Sequence, residues 1–111
     1  MWVKFVRVTD LFERIRSTYD GSGENEAEVI EEYKECRLLI LDDLGVNAPS
    51  DWSRSVLHSI IDYRINYELP TIVTTNLTNK ELATKMDSRT IDRLKEGFFM
   101  FVLNASSYRQ E

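Results

Sequence analysis

Leu38-Leu39-Ile40-Leu41-Asp42-Asp43-Leu44-Gly45 decides how the rest of the chain is read. Four large aliphatic residues without polar alternation read as a strand buried on both faces, as in a parallel sheet. The run then stops on two adjacent carboxylates. Open α/β sheets bind their ligands at the carboxyl ends of the strands. An acid at such a point commonly holds Mg²⁺ on a nucleotide, and its neighbour can orient a water. The plainer alternative is a core strand followed by an acidic turn, and the octapeptide alone does not choose between them.

On the amino-terminal side, Trp2 to Val8 alternates loosely and is rich in β-branched and aromatic residues, which predicts a strand. Asp10 is placed to cap a helix through about Tyr19, with Leu11, Phe12 and Ile15 on one face. Asp20-Gly21-Ser22-Gly23 is a break, and an acidic helix over about Glu26 to Glu35 turns Val29, Ile30 and Tyr33 inward. On the other side, Ser50 or Asp51 caps a long helix to about Tyr67, with Trp52, Val56, Leu57, Ile60, Ile61 and Ile65 at three- and four-residue spacings. Pro70 ends it and Thr71 to Thr75 forms a strand. Short helices over Thr78 to about Met86 and Ser88 to Lys95 follow, Gly97 stops the second, and Phe98 to Leu103 is the last strand. The order β-α-α-β-α-β-α-α-β predicts an α/β fold with a parallel sheet and right-handed crossovers.

With 111 residues the chain is at most one domain, and its 42% hydrophobic and 30% charged residues are ordinary for a globular protein. No apolar run approaches the roughly 20 residues that cross a bilayer. Charges interrupt every apolar stretch near Met1-Trp2-Val3-Lys4, unlike a signal peptide. A cytoplasmic protein without membrane contact is expected. The single Cys36 excludes an internal disulfide and, with one histidine, argues against structural zinc. A formal charge of −5 argues against a wholly nucleic-acid-binding surface. The acids concentrate between Glu24 and Glu35, however, whereas Arg14, Arg16, Arg89, Arg93 and Lys95 fall elsewhere and permit local phosphate contacts.

Three groups are candidates for chemistry. Asp42 would hold Mg²⁺ and Asp43 would polarise an attacking water. Asn76, just past the strand Thr71 to Thr75, would lie beside Asp43 if the two strands are neighbours, where its amide could hold the same water. By itself Thr74-Thr75-Asn76 is more often a strand end with an Asx turn. Arg89 and Arg93, at i and i+4, share a helix face and can reach one anion. A solvated basic face is the alternative for that pair.

Taken in order, these residues resemble the second half of an AAA+ ATPase core. They are most similar to the DnaC/DnaI-type replicative helicase loaders and the related IstB transposition ATPases. The likeness is carried by Leu38 to Gly45, Val73-Thr74-Thr75-Asn76-Leu77, Arg89-Thr90-Ile91-Asp92-Arg93-Leu94, Ser107-Tyr108-Arg109, and Val8 to Phe12 through Ser17-Thr18-Tyr19. The resemblance implies that Asp42 is the Mg²⁺-coordinating Walker B acid, Asp43 the second acid and Asn76 the sensor asparagine. It makes Arg93 a finger offered to a neighbouring AAA+ subunit, with Arg89 assisting or touching nucleotide in cis, and sets Arg109 near the nucleotide. ATP and Mg²⁺ are the implied cofactors, and a replicative helicase and single-stranded DNA the implied partners. Tyr19, with Arg16 nearby, could stack a base and meet a phosphate, and Trp52 and Ser53 are further candidates.

One element of the pattern is missing. A P-loop needs Gly-x-x-x-x-Gly-Lys-[Ser/Thr], and no lysine here follows a glycine. The resemblance therefore implies that residues 1–111 are a partial AAA+ domain from the carboxyl-terminal part of a longer protein, inactive by itself. In the AAA+ order the missing strand lies between Thr71 to Thr75 and Phe98 to Leu103. Its absence predicts that the last strand closes onto its neighbour, that another chain fills the gap, or that the fragment associates. Competing expectations are an interaction module without nucleotide chemistry and a two-carboxylate metal nuclease, for which no third acid is evident.

Overall fold

The computed structural model describes residues 3–20, 23–45, 50–86, 88–96 and 99–103. Its strands are β1 (Val3–Arg7), β2 (Leu38–Asp42), β3 (Thr71–Thr75) and β4 (Phe99–Leu103). The helices are α1 (Val8–Ser17), extended by a 3-10 turn at Thr18–Asp20, α2 (Glu26–Glu35), α3 (Asp51–Asn66), α4 (Asn79–Lys85) and α5 (Ser88–Glu96). The sheet is parallel throughout, in the order β1-β2-β3-β4.

Register sets the layers. Leu39 and Leu41 lie opposite Thr71 and Val73, and all four are buried. Every helix adds side chains to the same core, among them Leu11, Val29, Ile60, Leu82 and Leu94. The opposite face differs: Val3 and Phe5 are 51% and 64% exposed, and Ile40 and Ile72 are only half-buried. The expectation of a β2 strand buried on both faces is corrected accordingly, because among the described residues the core cluster draws only on one face of the sheet.

β4 pairs directly with β3, from Thr71 opposite Phe99 to Thr75 opposite Leu103. Of the three expected outcomes for the missing strand, this is closure of the last strand onto its neighbour.

Helix ends follow local chemistry, with one correction. Asn25 caps α2 by accepting from the Ala27 and Glu28 amides, and Ser50, rather than Asp51, caps α3 through a reciprocal box with Ser53. Thr78 and Glu81 form the same device on α4. Asp10 is not a cap: α1 begins two residues earlier at Val8, directly from Arg7, because Val8 is itself a buried core residue. α3 ends at Asn66, ahead of Pro70, where Glu68 turns the chain at φ 55°. Gly97 and Phe98, assigned to a helix stop and a strand start, lie outside the described residues.

Among the described residues the largest fully buried side chain is Arg64. It donates to the carbonyls of Tyr33 (3.2 Å), Lys34 (3.0 Å) and Cys36 (2.6 Å) at the end of α2, to Pro70 O (2.7 Å), and to Thr71 Oγ1 (2.6 Å). One guanidinium thus satisfies the open carbonyls of α2 and ties them to the start of β3. Among the described residues no helix is long and apolar enough to cross a membrane.

Candidate functional site

Asp42 ends β2, and the strand pairing carries Thr74 beside it on the half-covered face. Thr74 Oγ1 donates to Asp42 Oδ1 at 2.5 Å and accepts the Asp43 amide at 3.1 Å. The Leu44 amide donates to Thr74 O at 2.9 Å, and Thr75 Oγ1 donates to Leu44 O at 2.7 Å. The acidic turn is therefore cast against β3 atom by atom. Asp43 sits at φ 57°, a left-handed conformation that aspartate tolerates better than most residues. Gly45, at φ 87°, takes a backbone conformation that favours glycine, and a Cβ there would also push on the Leu77 side chain. Asn76 follows β3 at the same edge of the sheet and is exposed.

The donor set fits Mg²⁺. That ion takes oxygen ligands, keeps several waters, and is usually held by one or two carboxylates plus substrate phosphates. Asp42 and Asp43 supply two carboxylates, and among the described residues no group of three or more His, Cys, Asp or Glu side chains could form an all-protein metal cage.

Arg89 and Arg93 do share one face of α5. With His58, Asp62, Asn66 and Asp92 they line a cleft of about 510 Å³ between α3 and α5. Arg93 Nε donates to Asp62 Oδ1 at 3.1 Å and Nη2 to Asn66 Oδ1 at 2.5 Å, while His58 Nδ1 lies 3.1 Å from the buried Thr90 hydroxyl. Asp62 and Asn66 belong to the last turns of α3, which leads into the start of β3, whereas Asp42 stands at the finishing end of β2. Arg93 is thus brought together with Arg89 and Asp62 but not with Asp42 and Asp43. Arg109, with Ser107 and Tyr108, lies outside the described residues.

A second cleft, of about 490 Å³, gathers Arg16, Tyr19, Ser50 and Trp52. The Arg16 guanidinium carbon is 4.7 Å from the Trp52 ring centre, and the Phe12 ring packs against Trp52 with centroids 5.6 Å apart. Tyr19 is 60% exposed and donates its hydroxyl to Glu26 Oε1 at 2.9 Å, a contact that holds the phenol above its ordinary pKa. Tyr19 and Arg16, singled out in the sequence, do converge. Ser53 does not join them: it is buried, and its hydroxyl belongs to the α3 cap. Ser50 takes its place, a residue whose capping role in the sequence hid its second position on a cleft wall.

A parallel sheet with an acid pair at a strand end, a threonine-asparagine strand beside it and an arginine-bearing helix beyond defines an AAA+ core of the P-loop ATPase class. All 111 residues match the sequence profile of the family described as IstB-like ATP binding protein, and the chain belongs to that family. It is 28% identical to the replicative helicase loader DnaC of Escherichia coli (strain K12) over 108 residues, which are 96% of this chain and 44% of that protein. It is also 28% identical to the DnaC of Buchnera aphidicola subsp. Baizongia pistaciae (strain Bp), over 98% of this chain and 45% of that one. The crystal structure of the DnaC helicase loader superposes with a TM-score of 0.75 at 25% identity, covering 92% of this chain and 60% of the solved one. DnaI superposes with a TM-score of 0.71 at 25% identity, over 88% and 54%. The chain thus spans less than half the length of the curated relatives it matches.

Proposed function

We propose that residues 1–111 are the part of an AAA+ helicase-loader ATPase that carries the Walker B acids, the sensor asparagine and the arginine pair, and that they also contribute to a single-stranded DNA site. The observation that carries this reading is the convergence of Asp42, Asp43, Thr74 and Asn76 at the finishing ends of two adjacent parallel strands. When bound, Mg²⁺ and ATP would supply a phosphoryl group whose charge is neutralised for in-line attack. Asp42 would hold the ion, and Asp43 and Asn76 would orient the water. Arg93, on α5, would serve a nucleotide held by a neighbouring subunit, with Arg89 beside it. Its bonds to Asp62 and Asn66 support that reading by tying it to the end of α3 that leads into β3, not to the strand end that carries Asp42. The replicative helicase is the partner suggested by the DnaC relatives.

The cleft of Arg16, Tyr19, Ser50 and Trp52 supplies what single strands require, namely aromatic faces for bases and a cation for phosphate. Titrating the protein, carrying Trp2→Phe so that emission reports Trp52, with a short oligothymidylate tests this. Tyr19→Ala and Arg16→Ala each weaken binding about fivefold or more, in line with stacking worth roughly 1–3 kcal/mol per base. Arg93→Ala leaves it unchanged. Equal affinity in all four proteins would sink the DNA assignment.

The family description favours a second reading, an IstB-like transposition helper with the same nucleotide chemistry. Co-purification with a transposase rather than a hexameric helicase would select it.

A further inference from the structure

We infer that Thr74 is a positioning residue for the Mg²⁺ site, acting through Asp42 and Asp43. The inference rests on reading Asp42 as the metal-binding acid. A threonine hydroxyl has one proton and two lone pairs. An ionised carboxylate cannot donate and an amide N–H cannot accept, so both bonds run one way: Thr74 gives its proton to Asp42 Oδ1 and takes that of Asp43 N.

Two consequences follow. Fixing Oδ1 stops rotation of the Asp42 carboxylate and leaves Oδ2 in one position. Holding the Asp43 amide keeps that residue in its left-handed conformation. Thr74 thereby sets the relative placement of both acids. A preformed ligand geometry raises affinity because nothing need be ordered when the ion arrives. The neighbouring Thr75 provides an internal contrast. Its hydroxyl is buried on the core face and holds Leu44 O and the Leu77 amide, with no bond to either acid.

The test is a titration of isotope-labelled protein with Mn²⁺ alone, read as paramagnetic broadening of amide resonances, alongside thermal unfolding of each variant. In the unaltered chain, broadening centres on residues 42–44, and Asp42→Asn removes it. Thr74→Val, which keeps the shape and loses the hydroxyl, weakens Mn²⁺ binding about tenfold, as expected for loss of a hydrogen bond to a charged group. Thr74→Ser restores affinity to within twofold. Thr75→Val lowers the unfolding midpoint while leaving Mn²⁺ affinity unchanged. Thr74→Cys, a weaker donor, gives an intermediate affinity and carries the test if the valine variant does not fold. If Thr74→Val binds Mn²⁺ normally while Asp42→Asn does not, or if serine fails to rescue, the role of Thr74 is overturned and that of Asp42 stands. If broadening ignores Asp42→Asn or never appears near residue 42, the metal reading itself fails, and this inference with it.

Discussion

Arg64 is the residue on which the most backbone depends. It is wholly buried, and among the described residues every hydrogen-bond acceptor it meets is neutral: carbonyls, one hydroxyl and the Cys36 sulfur. Burial lowers its pKa against the opposing influence of Cys36, yet a guanidinium remains charged at any working pH. Its charge is held by the dipoles at the end of α2, where cations are favoured. Removing the donors would strand several buried carbonyls, each at about 1–3 kcal/mol. Arg64→Met, similar in length and without donors, should therefore lower unfolding free energy by about 3 kcal/mol or more in urea titrations. Arg64→Lys should recover little, since a compact ammonium cannot span carbonyls on two sides of its stem. An unaltered midpoint for the methionine variant would show that those carbonyls find other partners. The sequence concealed this role because Arg64 follows Ile60 and Ile61 on α3, where a charged residue reads as the rim of an apolar stripe.

At the scale of elements, α1, α2 and β1 are fastened by ions as well as by apolar contact. Arg14 on α1 reaches Glu24 (2.7 Å), both oxygens of Glu32 (3.0 and 3.1 Å) and the Tyr33 hydroxyl (3.2 Å), and Lys4 on β1 meets Glu32 at 3.0 Å. Arg14, then Lys4, hold the Glu32 carboxyl below its ordinary value of 4.5. A depressed folded pKa means that Glu32 stabilises the fold fully above pH 4.5 and loses that contribution as pH falls through the lower folded value. Glu32→Gln should thus unfold at a lower temperature than the parent at pH 7, with the gap closing in scans near pH 3. Because Glu32 is 41% exposed, the difference is about 1 kcal/mol at most. Elements bounded by strong punctuation were legible in advance. β3 starts after Pro70, α2 follows the Asp20 to Gly23 break, and both match their expected ranges. The junction of β1 with α1 was not, since no turn residue separates them and Asp10 offered a false cap. Among the candidate residues, Asp42, Asp43 and Asn76 could be read from one strand and its successor. Thr74 could not, because its bonds to Asp42 and Asp43 exist only once the register between β2 and β3 is known.

For the whole molecule, charge and layering act together on the proposed DNA cleft. The chain carries a formal charge of −5, with acids along α2, and among the described residues Arg16 is the one cation lining the Tyr19–Trp52 cleft. Long-range attraction to a phosphate backbone is therefore weak, and affinity must come from stacking on rings held by the core through Phe12 and by the 3-10 turn at the end of α1. Counterion release then involves one or two phosphates. For single strands the logarithmic salt slope is about −0.7 per phosphate neutralised, so a rise from about 50 to 200 mM salt should weaken oligothymidylate binding only about three- to sevenfold. Arg16→Ala should flatten that slope further, whereas Tyr19→Ala should lower affinity at every salt concentration and leave the slope in place. Fluorescence titrations at four salt concentrations separate the two. A slope of five or more phosphates, insensitive to Arg16, would mean that the strand follows some other, more basic track on the molecule and that stacking in this cleft is not what holds it.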